Sequence, residues 1–161
     1  DVNPSRGLGD VYKRQLYRRA AIMVDRSSSK SRFGVYGRAT KVLENGFSIC
    51  IFPEKEYTDE TILLNTFKQG AFKLAIEHQL EICPMVFLDC KRKYPWYTTH
   101  GYPGTLRVDI YPKITTKGLS EEDIPSLQRN VYNKINDALE NDPQQKAVEA
   151  IAVWKKIKKI S

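Results

Sequence analysis

Apolar residues along this chain fall into short runs and periodic stripes, each bounded by a residue that ends regular structure. The run Ser48-Ile49-Cys50-Ile51-Phe52-Pro53-Glu54 stops at a proline and delivers a carboxylate. It predicts a buried strand over 47–52, with Glu54 where the strand's carboxyl end opens into a loop. Open α/β sheets place their ligands at such ends. A second run, Ile82-Cys83-Pro84-Met85-Val86-Phe87-Leu88, predicts a strand over 82–88, and residues 20–25 predict one upstream.

Helical periods separate these runs. Residues 30–44 carry an imperfect stripe of Phe33, Tyr36, Val42 and Leu43 that stops at Asn45-Gly46, and residues 68–81 bury Ala71, Phe72, Leu74, Ala75 and Ile76. Residues 106–111 alternate Leu, Arg, Val, Asp, Ile, Tyr, the period of a half-exposed strand near a sheet edge. Ser120 then caps a helix whose acids Glu121, Glu122 and Asp123 sit at the positive end of its dipole. That helix aligns Ile124, Leu127, Val131, Ile135, Ala138 and Leu139, and ends near 141–143. Strand and helix alternate, so the predicted fold class is α/β.

Two segments admit more than one reading. Residues 94–104 are aromatic and turn-rich, which fits a surface hairpin or an interfacial contact with lipid. A last helix over 144–160 sets Ala147, Ile151, Trp154 and Ile157 on one face beside Lys155, Lys156, Lys158 and Lys159, to pack on its own domain or to lie on an anionic membrane.

Composition narrows the classes. At 161 residues the chain is one domain by length, and no apolar run approaches the roughly 18 residues a membrane span needs. The net charge is +7, and Asp25 is the lone acid among nine cations between Lys13 and Lys41. Such clusters attract phosphates on lipid, nucleic acid or a small substrate. No nucleic-acid recognition motif accompanies them, so nucleic acid is not an expected partner. Cys50, Cys83 and Cys90 lack metal-ligand spacing, and the first two fall in predicted strands, so they read as reduced core residues with no metal site. Residues 1–15 have no periodic pattern and read as a foreign or disordered leader; 16–142 read as the main domain and 143–161 as a basic carboxyl-terminal helix.

Three ordered blocks carry a family resemblance. Ile51-Phe52-Pro53-Glu54, Phe67-Lys68-Gln69-Gly70-Ala71-Phe72-Lys73-Leu74-Ala75 and Ile82-Cys83-Pro84-Met85-Val86 together resemble the 1-acyl-glycerol-3-phosphate (lysophosphatidate) acyltransferases, and Ile22-Met23-Val24-Asp25-Arg26 looks like that family's second block. The resemblance implies a sandwich with a central mixed sheet flanked by helices. It also implies transfer of an acyl chain from acyl-ACP or acyl-CoA, as co-substrate rather than cofactor, to 1-acyl-glycerol 3-phosphate in phospholipid biosynthesis. The location implied is cytoplasmic and peripheral, on the inner face of the cell membrane.

By the same resemblance, Arg26 binds the acceptor's phosphate, Phe52, Pro53 and Glu54 match the Phe-Pro-Glu block, and Lys55 stands where the family usually has Gly. Lys55 gives up backbone freedom for a charge, and Lys55 or Lys68 could serve as a point charge for phosphate. The family's first block is a His followed five positions later by Asp. Here His78 is followed at that spacing by Cys83, His100 by Thr105, and no histidine precedes Arg26. No residue earns a catalytic label, and the expectation is an acyltransferase domain truncated before its catalytic block, inactive alone. A non-catalytic anionic-lipid-binding module on the same fold is the alternative.

Overall fold

The computed structural model describes residues 21–22, 28–55, 62–93, 101 and 103–144. Most of the predicted strand over 20–25, Arg26, the leader, the terminal helix beyond 144 and most of 94–104 lie outside the described residues. Two compact units divide the chain, residues 1–51 and residues 52–161.

In the first unit, helix α1 spans Ser29–Glu44, within a residue of the predicted start. Its stop works as the Asn45-Gly46 pair predicts. Gly46 takes a positive φ of 80°, which lets its N–H donate to Leu43 O at 2.9 Å and the Phe47 N–H to Val42 O at 3.3 Å, the crossed pair of a Schellman ending. The chain beyond departs from expectation. Residues 47–52 form no strand, and Phe47, Ile51 and Phe52 are exposed rather than buried. An apolar run states only that it is compatible with a ladder; a strand also needs a partner backbone, and the described residues supply none here. Cys50, Cys83 and Cys90 are likewise exposed, which corrects their reading as core residues.

Among the described residues the second unit is built on three helices and a small sheet. Helix α2 (Gly70–Glu77) buries Phe72, Leu74, Ala75 and Ile76 as its period predicts, although it is shorter than 68–81. Beyond its C-cap at His78 the chain turns through Gln79, whose φ is +50°. Strand β1 (Met85–Phe87) pairs antiparallel with β2 (Val108–Ile110), with Met85 opposite Ile110, Val86 opposite Asp109 and Phe87 opposite Val108. Helix α3 (Cys90–Lys93) follows β1. A 3₁₀ turn (Glu121–Asp123) leads into helix α4 (Ile124–Asn141), where the Asp123 carboxylate accepts from the Ser120 N–H at 2.8 Å.

Helix α4 buries Ile124, Leu127, Val131 and Leu139 against Phe67, Phe72, Ile76, Val86 and Leu88. Polar ties lock this core to the chain before α2. Tyr132 donates its hydroxyl to Leu64 O at 3.1 Å, Gln128 donates to Phe67 O at 2.7 Å, and the Phe67 ring meets Tyr132 edge-on at 5.1 Å. Thr116, fully buried, donates to Leu80 O at 2.8 Å and ties the strand exit to the end of α2. The helices and one small antiparallel sheet agree with the α/β class.

Candidate functional site

Glu54 sits half-buried in an isolated antiparallel bridge with Phe67. Two backbone bonds flank the pairing: Lys55 N–H donates to Thr66 O at 3.0 Å, and Lys68 N–H to Pro53 O at 2.8 Å. The Glu54 carboxylate also accepts from the Asn65 N–H at 3.2 Å, while Asn65 Oδ1 takes the Thr66 N–H at 2.8 Å. Local chemistry explains why the chain forms a bridge here and no longer ladder: Pro53 has no N–H to offer. Phe67 is the anchor, buried in the core, so its pairing holds the Glu54 backbone against the body of the unit.

The bridge brings together five of the six residues read from the sequence. Pro53 and Glu54 are half-buried; Lys55 and Lys68 are exposed on the two chains that the bridge joins. The Phe52 ring lies 6.3 Å from Phe87 at 42°. Arg26 lies outside the described residues. The arrangement offers a carboxylate that ties Glu54 to the Asn65 backbone and two ammonium groups that can act as point charges toward a phosphate. Neither histidine is placed at the bridge among the described residues: His78 stands at the C-cap of α2, and His100 is outside the described residues.

A second constellation has no counterpart in the sequence reading. Asp89, 1 % exposed at the start of α3, accepts from Arg107 N, Nε and Nη2 at 2.8, 3.0 and 2.8 Å, and from Arg92 Nη2 at 2.9 Å. The same Arg107 fork reaches Asp142 Oδ1 and Oδ2 at 3.1 and 2.8 Å. The Arg107 hydrogen bonds hold the Asp89 carboxyl well below the usual carboxylate range despite its burial, and they depress Asp142 as well. The two carboxylates in turn raise Arg107. Arg107 thus clamps the end of α4 to the α3 start and the β2 approach. An open groove beside it is lined by Arg107, Asp109, Lys134, Asp137 and Asp142, none of them read from the sequence as site residues. The signal in sequence is weak, since Arg107 stands 18 residues from Asp89 and 35 from Asp142. Among the described residues no group of three His, Cys, Asp or Glu could hold a metal ion, and no helix is long and apolar enough to cross a membrane.

Comparison with known proteins decides the family. A family model described as Acyltransferase matches residues 8–88, a span that contains α1, the Glu54 bridge, α2 and β1. The chain belongs to the acyltransferase family. Among curated proteins it is similar to 1-acyl-sn-glycerol-3-phosphate acyltransferase alpha of Mus musculus, 30% identical over 119 residues that make up 71% of this chain and 40% of the relative. It is also similar to 1-acyl-sn-glycerol-3-phosphate acyltransferase beta of Homo sapiens, 32% identical over 87 residues, 54% of this chain and 31% of that protein. The chain therefore spans well under half the length of these acyltransferases. No solved structure matches it.

Proposed function

We propose that this chain is the acceptor-binding part of a lysophosphatidate acyltransferase of phospholipid biosynthesis, on a sandwich with a central mixed sheet flanked by helices. The observation that carries the reading is the Glu54–Phe67 bridge, which sets Lys55 and Lys68 diagonally across the pairing, one at each end, at the block resembling the family's phosphate wall. Those lysines hold the phosphate of 1-acyl-glycerol 3-phosphate; the bridge and the Glu54–Asn65 contact fix the backbone that carries them.

In the transfer itself the acceptor hydroxyl attacks the thioester carbonyl of acyl-ACP or acyl-CoA, a base takes its proton, and the tetrahedral oxyanion collapses to expel the thiolate. Neither histidine of the chain is followed by Asp at the spacing of the family's base, so on this reading the isolated chain binds acceptor without turning it over. The chain works at an anionic membrane surface on the cytoplasmic side, not on nucleic acid.

Calorimetry with glycerol 3-phosphate and with lysophosphatidate, run alongside a thioester turnover assay, tests this reading. Binding should weaken roughly tenfold in Lys68→Ala, in line with the loss of one phosphate contact, and turnover should be absent. Turnover by the purified chain that Arg26→Ala abolishes would overturn the reading of binding without catalysis; binding indifferent to Lys55 and Lys68 would overturn the phosphate wall.

A further inference from the structure

Asn45-Gly46 is the one Asn-Gly pair in the 161 residues, and it stands at the end of α1. Such a pair carries chemistry of its own. Glycine has no side chain to shield its backbone nitrogen or restrict its dihedrals, so that nitrogen can reach the carboxamide of the asparagine before it.

Both partners in that reaction are held here. Gly46 N–H donates to Leu43 O at 2.9 Å, which turns the attacking nitrogen back over the helix. Asn45 Nδ2 donates to Lys41 O at 2.8 Å, and the Asn45 N–H reaches the same oxygen at 3.3 Å. The carboxamide therefore lies back over the preceding turn, whereas attack needs it directed toward the residue that follows. Phe47 N–H, donating to Val42 O at 3.3 Å, fixes Gly46 from its other side. For the nitrogen to meet Cγ, the Gly46 and Nδ2 bonds must open and the last turn must unwind. Asn45, Gly46 and Phe47 are all exposed, so water reaches them once it does. Helix ends open locally at far lower cost than the whole domain unfolds.

We propose that Asn45 is a gated deamidation site, closed while the Schellman ending holds and open when it frays. In the open turn the Gly46 nitrogen gives its proton to hydroxide and bonds Asn45 Cγ; the Cγ–Nδ2 bond breaks and Nδ2 leaves as ammonia. Water then opens the cyclic imide at either carbonyl, which leaves aspartate or isoaspartate. One water is consumed, one ammonia is released and no electrons are transferred.

Either product works against closing the gate again. A carboxylate at position 45 loses the donor to Lys41 O and sits at the negative end of the helix dipole, beside Glu44. Lys41 one turn earlier offsets little, because a cation placed before an acid is the weaker order for such a pair. Isoaspartate also adds a methylene to the backbone ahead of Gly46, which takes the crossed bonds to Leu43 O and Val42 O out of register. The site stands apart from the acyltransferase reading.

Incubation of the full chain at mildly alkaline pH, in buffer and in urea, tests this, with the products read by peptide mass spectrometry and by enzymatic methylation of isoaspartate. Asn45 should convert in urea and roughly tenfold or more slowly in buffer, the worth of two hydrogen bonds that open first. Lys41→Gly loosens the last turn from an exposed position and leaves the reacting pair intact. It should speed conversion in buffer roughly threefold to fivefold and leave the rate in urea unchanged. Asn45→Asp, which stands for the direct product, should exchange its Gly46 and Phe47 amides severalfold faster than the parent. Equal rates in buffer and urea, or a Lys41→Gly rate in buffer that matches the parent's, overturns the gate. No product at Asn45 in urea overturns the site itself, and unchanged amide exchange in Asn45→Asp overturns the claim that modification hinders closing.

Discussion

Substituting Asp89→Asn keeps the shape of the side chain and removes its charge, which isolates what the Arg107 clamp contributes. The carboxylate accepts five hydrogen bonds, three from Arg107 and two from Arg92. A hydrogen bond to a charged group is worth about 1.5–3 kcal/mol, and stripping one partner from a buried ion pair costs about 3–5 kcal/mol. That range needs discounting, because Arg107 and Arg92 are each about a third exposed and can rehydrate, and Arg107 keeps Asp142. The expected cost is therefore about 2–3 kcal/mol at neutral pH, read from urea unfolding followed by circular dichroism.

The pH dependence supplies a second check on the same variant. Asp89 and Asp142 both have folded pKa values depressed below the unfolded value of about 3.9, so their stabilisation is complete above roughly pH 5 and drains away as pH falls through and below that value. Asp89→Asn has lost the Asp89 part already, so the gap between parent and variant should begin to narrow below about pH 4 and close only as pH falls through the strongly depressed folded pKa of Asp89. A gap that stays constant from neutral to acid pH, or a variant as stable as the parent at neutral pH, would refute the clamp as an electrostatic device.

Two further outcomes follow from buried or conformationally special positions. Thr116→Val preserves shape but removes the hydroxyl that serves Leu80 O, and should cost about 1–2 kcal/mol in urea unfolding, whereas Thr116→Ser should retain that bond; equal stability of the valine variant would show that the bond contributes nothing. Gly46→Ala meets no atoms, yet forces an L side chain to φ +80°, so it should cost about 1 kcal/mol and loosen the last turn of α1, seen as faster amide exchange at Gly46 and Phe47; unchanged exchange would mean that the turn does not need glycine.

Helices were the legible part of this chain. The stripe from Ile124 to Leu139 reads the same in sequence and in structure, because its buried face is set by a local period. The ends of α2 were less legible, since the turn through Gln79 depends on its bonds to Ile76 O, Leu119 O and the Gly118 N–H, two of them far along the chain. The run over 47–52 misled for a related reason: its apolar character speaks of burial, but the partner backbone that makes a strand is not written locally. The candidate site divides in the same way. Glu54, Lys55 and Lys68 could be singled out from block and composition, yet that Glu54 pairs with Phe67 is a tertiary fact. The Asp89, Arg107 and Asp142 cluster was invisible because isolated charges look like solvated surface until folding gathers them.

The bridge between Glu54 and Phe67 has a consequence for how this protein can vary. Its two backbone bonds and the Asn65-to-Glu54 contact close the base of the connection between residues 55 and 66. Once a loop is pinned at its base, lengthening it is cheap, about 0.6 kcal/mol for each doubling of its residues. A peptide tag or reporter domain spliced into the middle of that connection should therefore leave Glu54, Lys55 and Lys68 in register, making this the natural point of insertion in an engineered form of the chain.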